Sequence, residues 1–241
     1  MEYSADIELT MAGVGPVRVP FDEPRLKTKQ ARRHLNRLRV LEEDHFCTDW
    51  YAFEFRPATS ADRAKLDVVV QLPGPEYGAV IGDTVHNCRA SLDILASLVV
   101  RLSGGNDKGV HFPFGSSAHH FERMIVDKHF NRASDEAIEL LRKLRPYPEG
   151  NSVLRALHDL DIQDKHRALI PAGGNITTPE VKAAVIDGRA VITHVEATKP
   201  KMRLIFPEAG PAGNCEVIPS LEEMIGLTES IIRSFESLFS D

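Results

Sequence analysis

The stretch that decides the fold is GDTVHNCRASLD, residues 82–93, which lies inside a longer apolar run. Apolar residues recur at helical spacing over residues 76–102, and a Ser-Gly-Gly sequence then ends the pattern. We therefore predict one long, mostly buried helix over residues 76–102. Within residues 84–100 its only charged side chains are Arg89 and Asp93, so the polar groups of this helix are few and specific.

One polar stripe follows this predicted helix. His86, Arg89 and Asp93 are spaced by three and four residues, which makes their side chains neighbours on one face. Asp83 and Asn87 are predicted to lie round the far side. A buried charge is costly unless it is paired, so two interpretations stay open. Either the stripe lines a functional cavity, or Arg89 and Asp93 pair with each other and only fix the packing.

A second helix, predicted from about residue 152 to about residue 170, adds polar groups to the same interior. Asp164 falls in the middle of its apolar face, where an acid needs an explanation, and Asp161 lies at the margin. We predict that Asp164 is the partner of Arg89 across the helix interface. His158 is predicted to point elsewhere.

Strands are predicted on both sides of these helices. Apolar residues alternate with polar ones over residues 50–72 and again over residues 183–206, where Asp187-Gly188 is a strong signal for a tight hairpin. Two groups of strands around helices indicate an α+β fold, with a helical core of four to six helices and antiparallel strands.

The length of 241 residues favours a single domain over residues 1–241. Its helical core is predicted over about residues 25–170, followed by C-terminal strands and a capping helix over residues 176–239. Ser220 and Glu223 have the spacing of a capping box, which predicts the start of that last helix.

Composition and charge argue against several protein classes. Apolar residues make up 42% of the chain and charged residues 27%, an ordinary globular balance. The net charge of -6 argues against a DNA-binding patch but leaves local action on RNA open. No apolar segment reaches the ~20 residues that span a bilayer, and the N-terminus lacks the pattern of a secretory signal. We expect a cytoplasmic protein whose Cys47, Cys88 and Cys215 are free, buried thiols.

Two kinds of chemistry fit these residues. RNA cleavage without a metal needs an Arg to stabilise phosphate charge and a His to move a proton, and His86 with Arg89 supplies that pair. A metal site is the other kind, because Glu42 with His45 and Asp83 with His86 have carboxylate–histidine spacing. A full site of that type needs further glutamates on core faces, and the sequence offers none there. We therefore assign no metal ligand and expect no cofactor.

Together with LHDLDIQDKHR, residues 157–167, the sequence GDTVHNCRASLD resembles a group of bacterial and phage-associated proteins. They carry a GD-x-x-HN-x-R-x-x-LD helix and a later helix that ends in DKHR, with an FP segment between them that VHFPF matches. The resemblance spans roughly residues 25–170 and implies no particular function. The motif residues that it adds as binding candidates are Asp83, Asn87, Lys165, His166 and Arg167.

More distantly, the first motif is similar to the helical RNases and nucleotide-binding domains called HEPN. Their signature is an Arg, then four to six residues, then a His. Here Ile94 stands in the His position after Arg89, whereas Arg123 and His129 have a permitted gap but Met124 follows the Arg. The resemblance implies a helical domain.

Three hypotheses follow from these patterns. The first is an enzyme that processes a nucleic acid or nucleotide in a phage or stress response, with RNA or a nucleotide as ligand. In it, His86 is the acid/base, Arg89 the phosphate ligand, and Asp93 or Asp164 the orienting group. The second is a non-catalytic binding or assembly protein whose polar cluster is structural. The third is a carboxylate–histidine metalloenzyme. No membrane partner is expected, and the sequence leaves a homodimer open.

Overall fold

The computed structural model describes residues 20–57, 64–166, 173–177, 181–186, 189–195 and 201–240. The helices in these ranges are α1 (Asp22–Phe46), α2 (Pro75–Leu102), α3 (Ala118–Asp127), α4 (Asp135–Leu144), α5 (Ser152–His166) and α6 (Val217–Glu236). The strands are β1 (Tyr51–Pro57), β2 (Ala64–Val70), β3 (Gly173–Thr177), β4 (Val181–Ile186), β5 (Arg189–Val195) and β6 (Lys201–Ile205). This is an α+β fold with a helical core, as the sequence predicts.

Helix α2 is the centre of the core and packs against α1, α5 and α6. It begins at Pro75, whose missing N–H is tolerated in the first turn of a helix. It ends at Leu102, and Gly104 then takes a left-handed conformation with φ of 81° that turns the chain away. The apolar seam predicted from Ile81 to Leu102 is buried at Ile81, Val85, Cys88, Leu92, Leu95 and Val99, whereas Leu102 at its end is 38% exposed.

A ladder of ion pairs joins α1 to α6. The basic residues recur every seven positions along α1 and the acidic ones every seven positions along α6, so each rung lies two helical turns from the next. The rungs are Arg25–Glu236, Arg32–Glu229 and Arg39–Glu222. The two helices are therefore antiparallel. Exposed pairs of this kind contribute up to about 1 kcal/mol each, so the ladder defines register more than stability.

The strands form separate antiparallel pairs: β1 with β2, β3 with β6, and β4 with β5. In the hairpin of β4 and β5, Ile186 lies opposite Arg189, which confirms the predicted pairing. The turn residues Asp187 and Gly188 lie outside the described residues. A shift of register follows Lys182, where the hairpin is irregular.

The last helix begins earlier than the capping box predicts, so that prediction is wrong. Helix α6 starts at Val217, and the Ser220 hydroxyl donates to the carbonyl of Glu216 within the first turn. Glu216 forms an isolated bridge with Ile205 at the end of β6. The extended backbone therefore ends at Glu216, and the helix begins at the next residue.

The three cysteines are free, but only Cys88 is buried; Cys47 and Cys215 are exposed, which corrects the expectation for those two. Burial raises the pKa of the Cys88 thiol to about 12, so it stays protonated at neutral pH and acts as a core residue. None of the helices in the described ranges combines the length and the apolar character that crossing a bilayer requires.

Candidate functional site

The exposed end of the polar stripe is a dyad of His86 on α2 and Asp161 on α5. His86 Nδ1 lies 3.0 Å from Asp161 Oδ1, and Lys165 Nζ lies 2.8 Å from Oδ2 of the same carboxylate. The side chain of Asp161 is only 6% exposed, whereas that of His86 is 45% exposed. A buried carboxylate thus holds a half-exposed imidazole, and both of its oxygens are used.

This geometry sets the tautomer of His86. A carboxylate oxygen accepts hydrogen bonds, so in the neutral imidazole the proton lies on Nδ1, which donates to Asp161. The lone pair is then on Nε2, for which the described residues provide no bonding partner. An imidazole in this state can accept a proton from a molecule that approaches through solvent.

Asp164 lies three residues after Asp161 on α5 and packs against the backbone of α2 at Gly82. The position of its carboxylate is available only because residue 82 has no side chain. Burial raises the pKa of Asp164, and the negative charges of Asp83 and Asp161 add to this effect. Burial and the neighbouring negative charges therefore both favour the protonated form of Asp164.

The second part of the stripe is buried. Arg89 is 8% exposed, and its Nη1 lies 2.6 Å from Asp93 Oδ1. That approach is an ion pair but lacks the angle of a hydrogen bond, so Nη1 has no hydrogen-bond partner within the described residues. Asp93 also accepts the backbone N–H of Phe112 at 2.8 Å, and Arg89 Nη2 points to the Phe112 carbonyl at 3.5 Å.

An aromatic stack closes this buried part. The guanidinium carbon of Arg89 lies 4.7 Å from the ring centroid of Phe114. The His158 ring stacks on Phe114, with centroids 4.4 Å apart and an interplanar angle of 4°. Burial lowers the pKa of His158 to about 4, and the positive charges of Arg89 and Arg155 add to the effect. At neutral pH His158 is therefore uncharged, and it serves as a flat aromatic surface.

The structure separates the predicted site residues into an exposed and a buried group. The prediction that Asp164 partners Arg89 is wrong, because Asp93 holds that place. The physical reason is the space at Gly82, which takes the Asp164 carboxylate about two turns away from Arg89 on α2. Of the two open interpretations, pairing within the helix describes Arg89 and Asp93.

The structure places the predicted binding residues in different surroundings. Asn87 is buried and donates to the carbonyl of Asp83 in its own helix, while the Asp83 side chain is 59% exposed and lies 3.7 Å from His34. Lys165 reaches the dyad. His166 ends α5, but its side chain and the whole of Arg167 lie outside the described residues.

Sequence reasoning missed two members of the site. Asp161 was predicted at the margin of α5 and is instead its buried polar centre, 4% exposed as a residue. His158 was predicted to point elsewhere and instead stacks on Phe114. The i, i+4 spacing of Asp161 and Lys165 was the available signal for the first, whereas the irregular segment that carries Phe114 gives no periodic signal for the second.

The carboxylate–histidine pairs do not converge. His45 Nε2 bonds the carbonyl of Gln71, and His86 is held by Asp161 rather than by Asp83. Within the part of the chain that the structure describes, no three His, Cys, Asp or Glu side chains are grouped so that they could hold a metal ion.

Comparison with models of known protein families, with curated proteins and with solved structures gave no match. The resemblances to HEPN domains and to phage-associated proteins therefore stay predictions.

Proposed function

We propose that this chain is an acid–base enzyme that cleaves RNA or a related nucleotide, with His86 as the proton acceptor. The observation that carries the proposal is the dyad: a half-exposed imidazole whose Nδ1 is held at 3.0 Å by a buried carboxylate. Many catalytic histidines are held in this way, because a fixed tautomer leaves Nε2 ready to accept a proton.

In the proposed reaction, His86 Nε2 takes the proton of a ribose 2′-hydroxyl. The freed oxygen attacks the adjacent phosphorus, and the bond from phosphorus to the leaving 5′-oxygen breaks. Asp164, with its raised pKa, supplies a proton to that oxygen, and the products are a 2′,3′-cyclic phosphate and a 5′-hydroxyl. Lys165, 42% exposed, is the cation placed to stabilise the charge that develops on the phosphate.

Arg89 has no phosphate-binding role in this proposal. It is 8% exposed and committed to Asp93, Phe112 and Phe114, so a substrate would have to disrupt the core to reach it. Asp93 is likewise committed, because it pairs with Arg89 and accepts the backbone N–H of Phe112. In this proposal Asp161 is the group that orients His86. The proposal also includes a cytoplasmic location, which is consistent with RNA as the substrate. A place in a phage or stress response belongs to the proposal and rests on the resemblance alone.

The test is incubation of the purified chain with total RNA, followed by analysis of the RNA ends. Cleavage with 2′,3′-cyclic phosphate ends is expected, and His86→Ala should abolish it. His111→Ala is the matched control, because His111 is an exposed histidine beside Asp93 and outside the dyad. Absence of cleavage, or equal cleavage by His86→Ala, would sink the proposal. Cleavage that a chelator abolishes would favour the metalloenzyme instead.

A second candidate function is a non-catalytic binding or assembly protein. The observation in its favour is charge: Asp83 and Asp164 lie near the dyad, whose own Asp161 is a third carboxylate, and negative charge opposes the approach of a polyanion. In this case the polar cluster only fixes how α2 and α5 pack. His86→Ala would then change the melting temperature without changing any activity on RNA.

A further inference from the structure

A cavity of about 960 Å³ lies at the other end of the core, where α1 ends and α6 begins. Its walls come from α1, the connection from α1 to β1, β1, β6 and α6, and neither residue of the dyad lines it. A volume of this order is typical of sites for small molecules, which run from about 300 to about 1,000 Å³. The cavity is therefore large enough for a ligand that is not the substrate proposed above.

One wall of the cavity is aromatic. Phe46 and Trp50 meet edge to face with centroids 5.4 Å apart, and Trp50 meets Tyr51 in the same way at 5.0 Å. Trp50 is 3% exposed, so its indole is fixed in the wall. Met202 and Leu204 on β6 add apolar surface. This wall suits the apolar part of a ligand.

The polar lining is mainly acidic. Glu42 and Glu216 both face the cavity with Asp49. Arg203, the one basic residue among the described residues that line it, already forms an ion pair with Glu216. Within the described residues, no cation lies at ion-pair distance from Glu42. Burial raises the pKa of Glu42, and the charges of Glu216 and Glu43 raise it further. The cavity thus holds a partly desolvated carboxylate, Glu42, to which the part of the chain that the structure describes supplies no counter-ion.

We propose that this cavity binds a small organic cation, a protonated amine on an aromatic or alkyl body. The ammonium group would pair with Glu42, and relief of the repulsion between Glu42 and Glu216 would add to the gain. Aromatic rings beside the carboxylate favour the same charge, because their faces attract cations. The acidic lining excludes phosphates, so this site and the proposed RNA site select opposite charges.

Trp50 provides the readout, because it is the single tryptophan of the chain and lies in the cavity wall. We would titrate the full chain with phenethylamine and with two probes of matched shape, the neutral phenethyl alcohol and the anionic phenylacetate. Saturable change of Trp50 fluorescence is expected with the amine at concentrations up to the millimolar range. The alcohol should bind about tenfold more weakly, since one charge-assisted hydrogen bond is worth about 1.5 kcal/mol. Phenylacetate should not bind.

Two variants distinguish the contribution of the Glu42 carboxylate to binding from the contribution of the cavity's shape. Glu42→Gln should weaken the binding of phenethylamine about tenfold, so that its affinity becomes close to that of phenethyl alcohol. Glu43→Gln is the control, because Glu43 is the exposed neighbour outside the lining. The far-ultraviolet spectrum and melting temperature show that both variants fold. The proposal is overturned if no probe binds, or if the alcohol or phenylacetate binds as tightly as the amine. It is also overturned if Glu43→Gln weakens the binding of the amine as much as Glu42→Gln does.

Discussion

The carboxylate of Asp164 lies so close to Gly82 that a Cβ built on that glycine would stand 2.2 Å from Oδ1 and 2.5 Å from Cγ. The contact joins α5 to the third turn of α2, one turn before His86. A glycine inside a helix costs about 1 kcal/mol relative to alanine, so its presence here needs a compensating reason. The reason is the space that it leaves for the carboxylate.

Gly82→Ala should therefore destabilise the chain by about 1–3 kcal/mol, because the new methyl group and the short Asp164 side chain cannot both fit. In an Asp164→Ala background the clashing atoms are gone. There the same change should become neutral, or stabilising by up to about 1 kcal/mol. Urea unfolding of the two single variants and the double variant measures this coupling.

Gly226→Ala is the matched control for that cycle. Gly226 also lies inside a helix, α6, but a Cβ there meets nothing within 4 Å. It should raise the free energy of unfolding by about 0.5–1 kcal/mol. If Gly82→Ala stabilises the chain as much as Gly226→Ala does, the close contact with Asp164 is wrong.

Asp161→Asn tests the orienting role of the buried carboxylate. The amide keeps the size of the side chain but can donate to Nδ1, which would move the imidazole proton to Nε2 and block it as a base. On the proposed function, kcat for RNA cleavage should fall about a hundredfold or more, with little change in KM. Asp159→Asn, which removes the partner of Arg155 on the same helix, should leave kcat within about twofold. Equal losses in the two variants would assign Asp161 a structural role only.

The helices were predictable because one physical signal sets them. The seam from Ile81 to Val99 repeats at helical spacing and is buried along its length, so α2 falls within one residue of its predicted start and ends where predicted. The pairing of Arg89 with Asp93 was also within reach, because residues four apart on a helix are neighbours whatever the rest of the fold does.

Contacts between elements were not predictable in the same way. Asp161 and Asp164 lie about 60° apart around α5, and which of them faces His86 depends on the rotation of that helix. Packing against α2 and α6 sets the rotation, and so does the space at Gly82. The stack of His158 on Phe114 depends on an irregular segment, for which periodicity gives no position.

Arg89→Ala should lower the free energy of unfolding by about 2–4 kcal/mol, because it removes a buried cation and leaves Asp93 without its ion-pair partner. Arg101→Ala on the same helix is the control. Arg101 is 58% exposed where it pairs with Asp107, so its loss should cost no more than about 1 kcal/mol. Urea unfolding compares the two. A loss at Arg89 no larger than the loss at Arg101 would contradict the buried ion pair with Asp93.

His158 should make the chain less stable in acid. The pKa of the folded imidazole is about 4 against an ordinary value of 6.5, so as the pH falls the unfolded chain binds the proton first. The contribution of His158 to the free energy of unfolding is therefore complete above pH 6.5 and is lost as the pH falls towards 4. For a partly exposed ring this loss is about 2–3 kcal/mol.

The variant His158→Phe keeps a ring against Phe114 but cannot be protonated, so it isolates this contribution. Around His158, Arg89 and Arg155 oppose protonation while Asp159 and Asp161 favour it, and all four stay in the variant. Asp164 acts in the opposite sense, since its raised pKa means that the folded state gains protons first in acid, but it does so in both proteins. Unfolding measured at several pH values should therefore show the wild type losing stability relative to His158→Phe between pH 6.5 and 4. Parallel profiles would mean that His158 is solvated in the folded chain, and the stack on Phe114 would then be wrong.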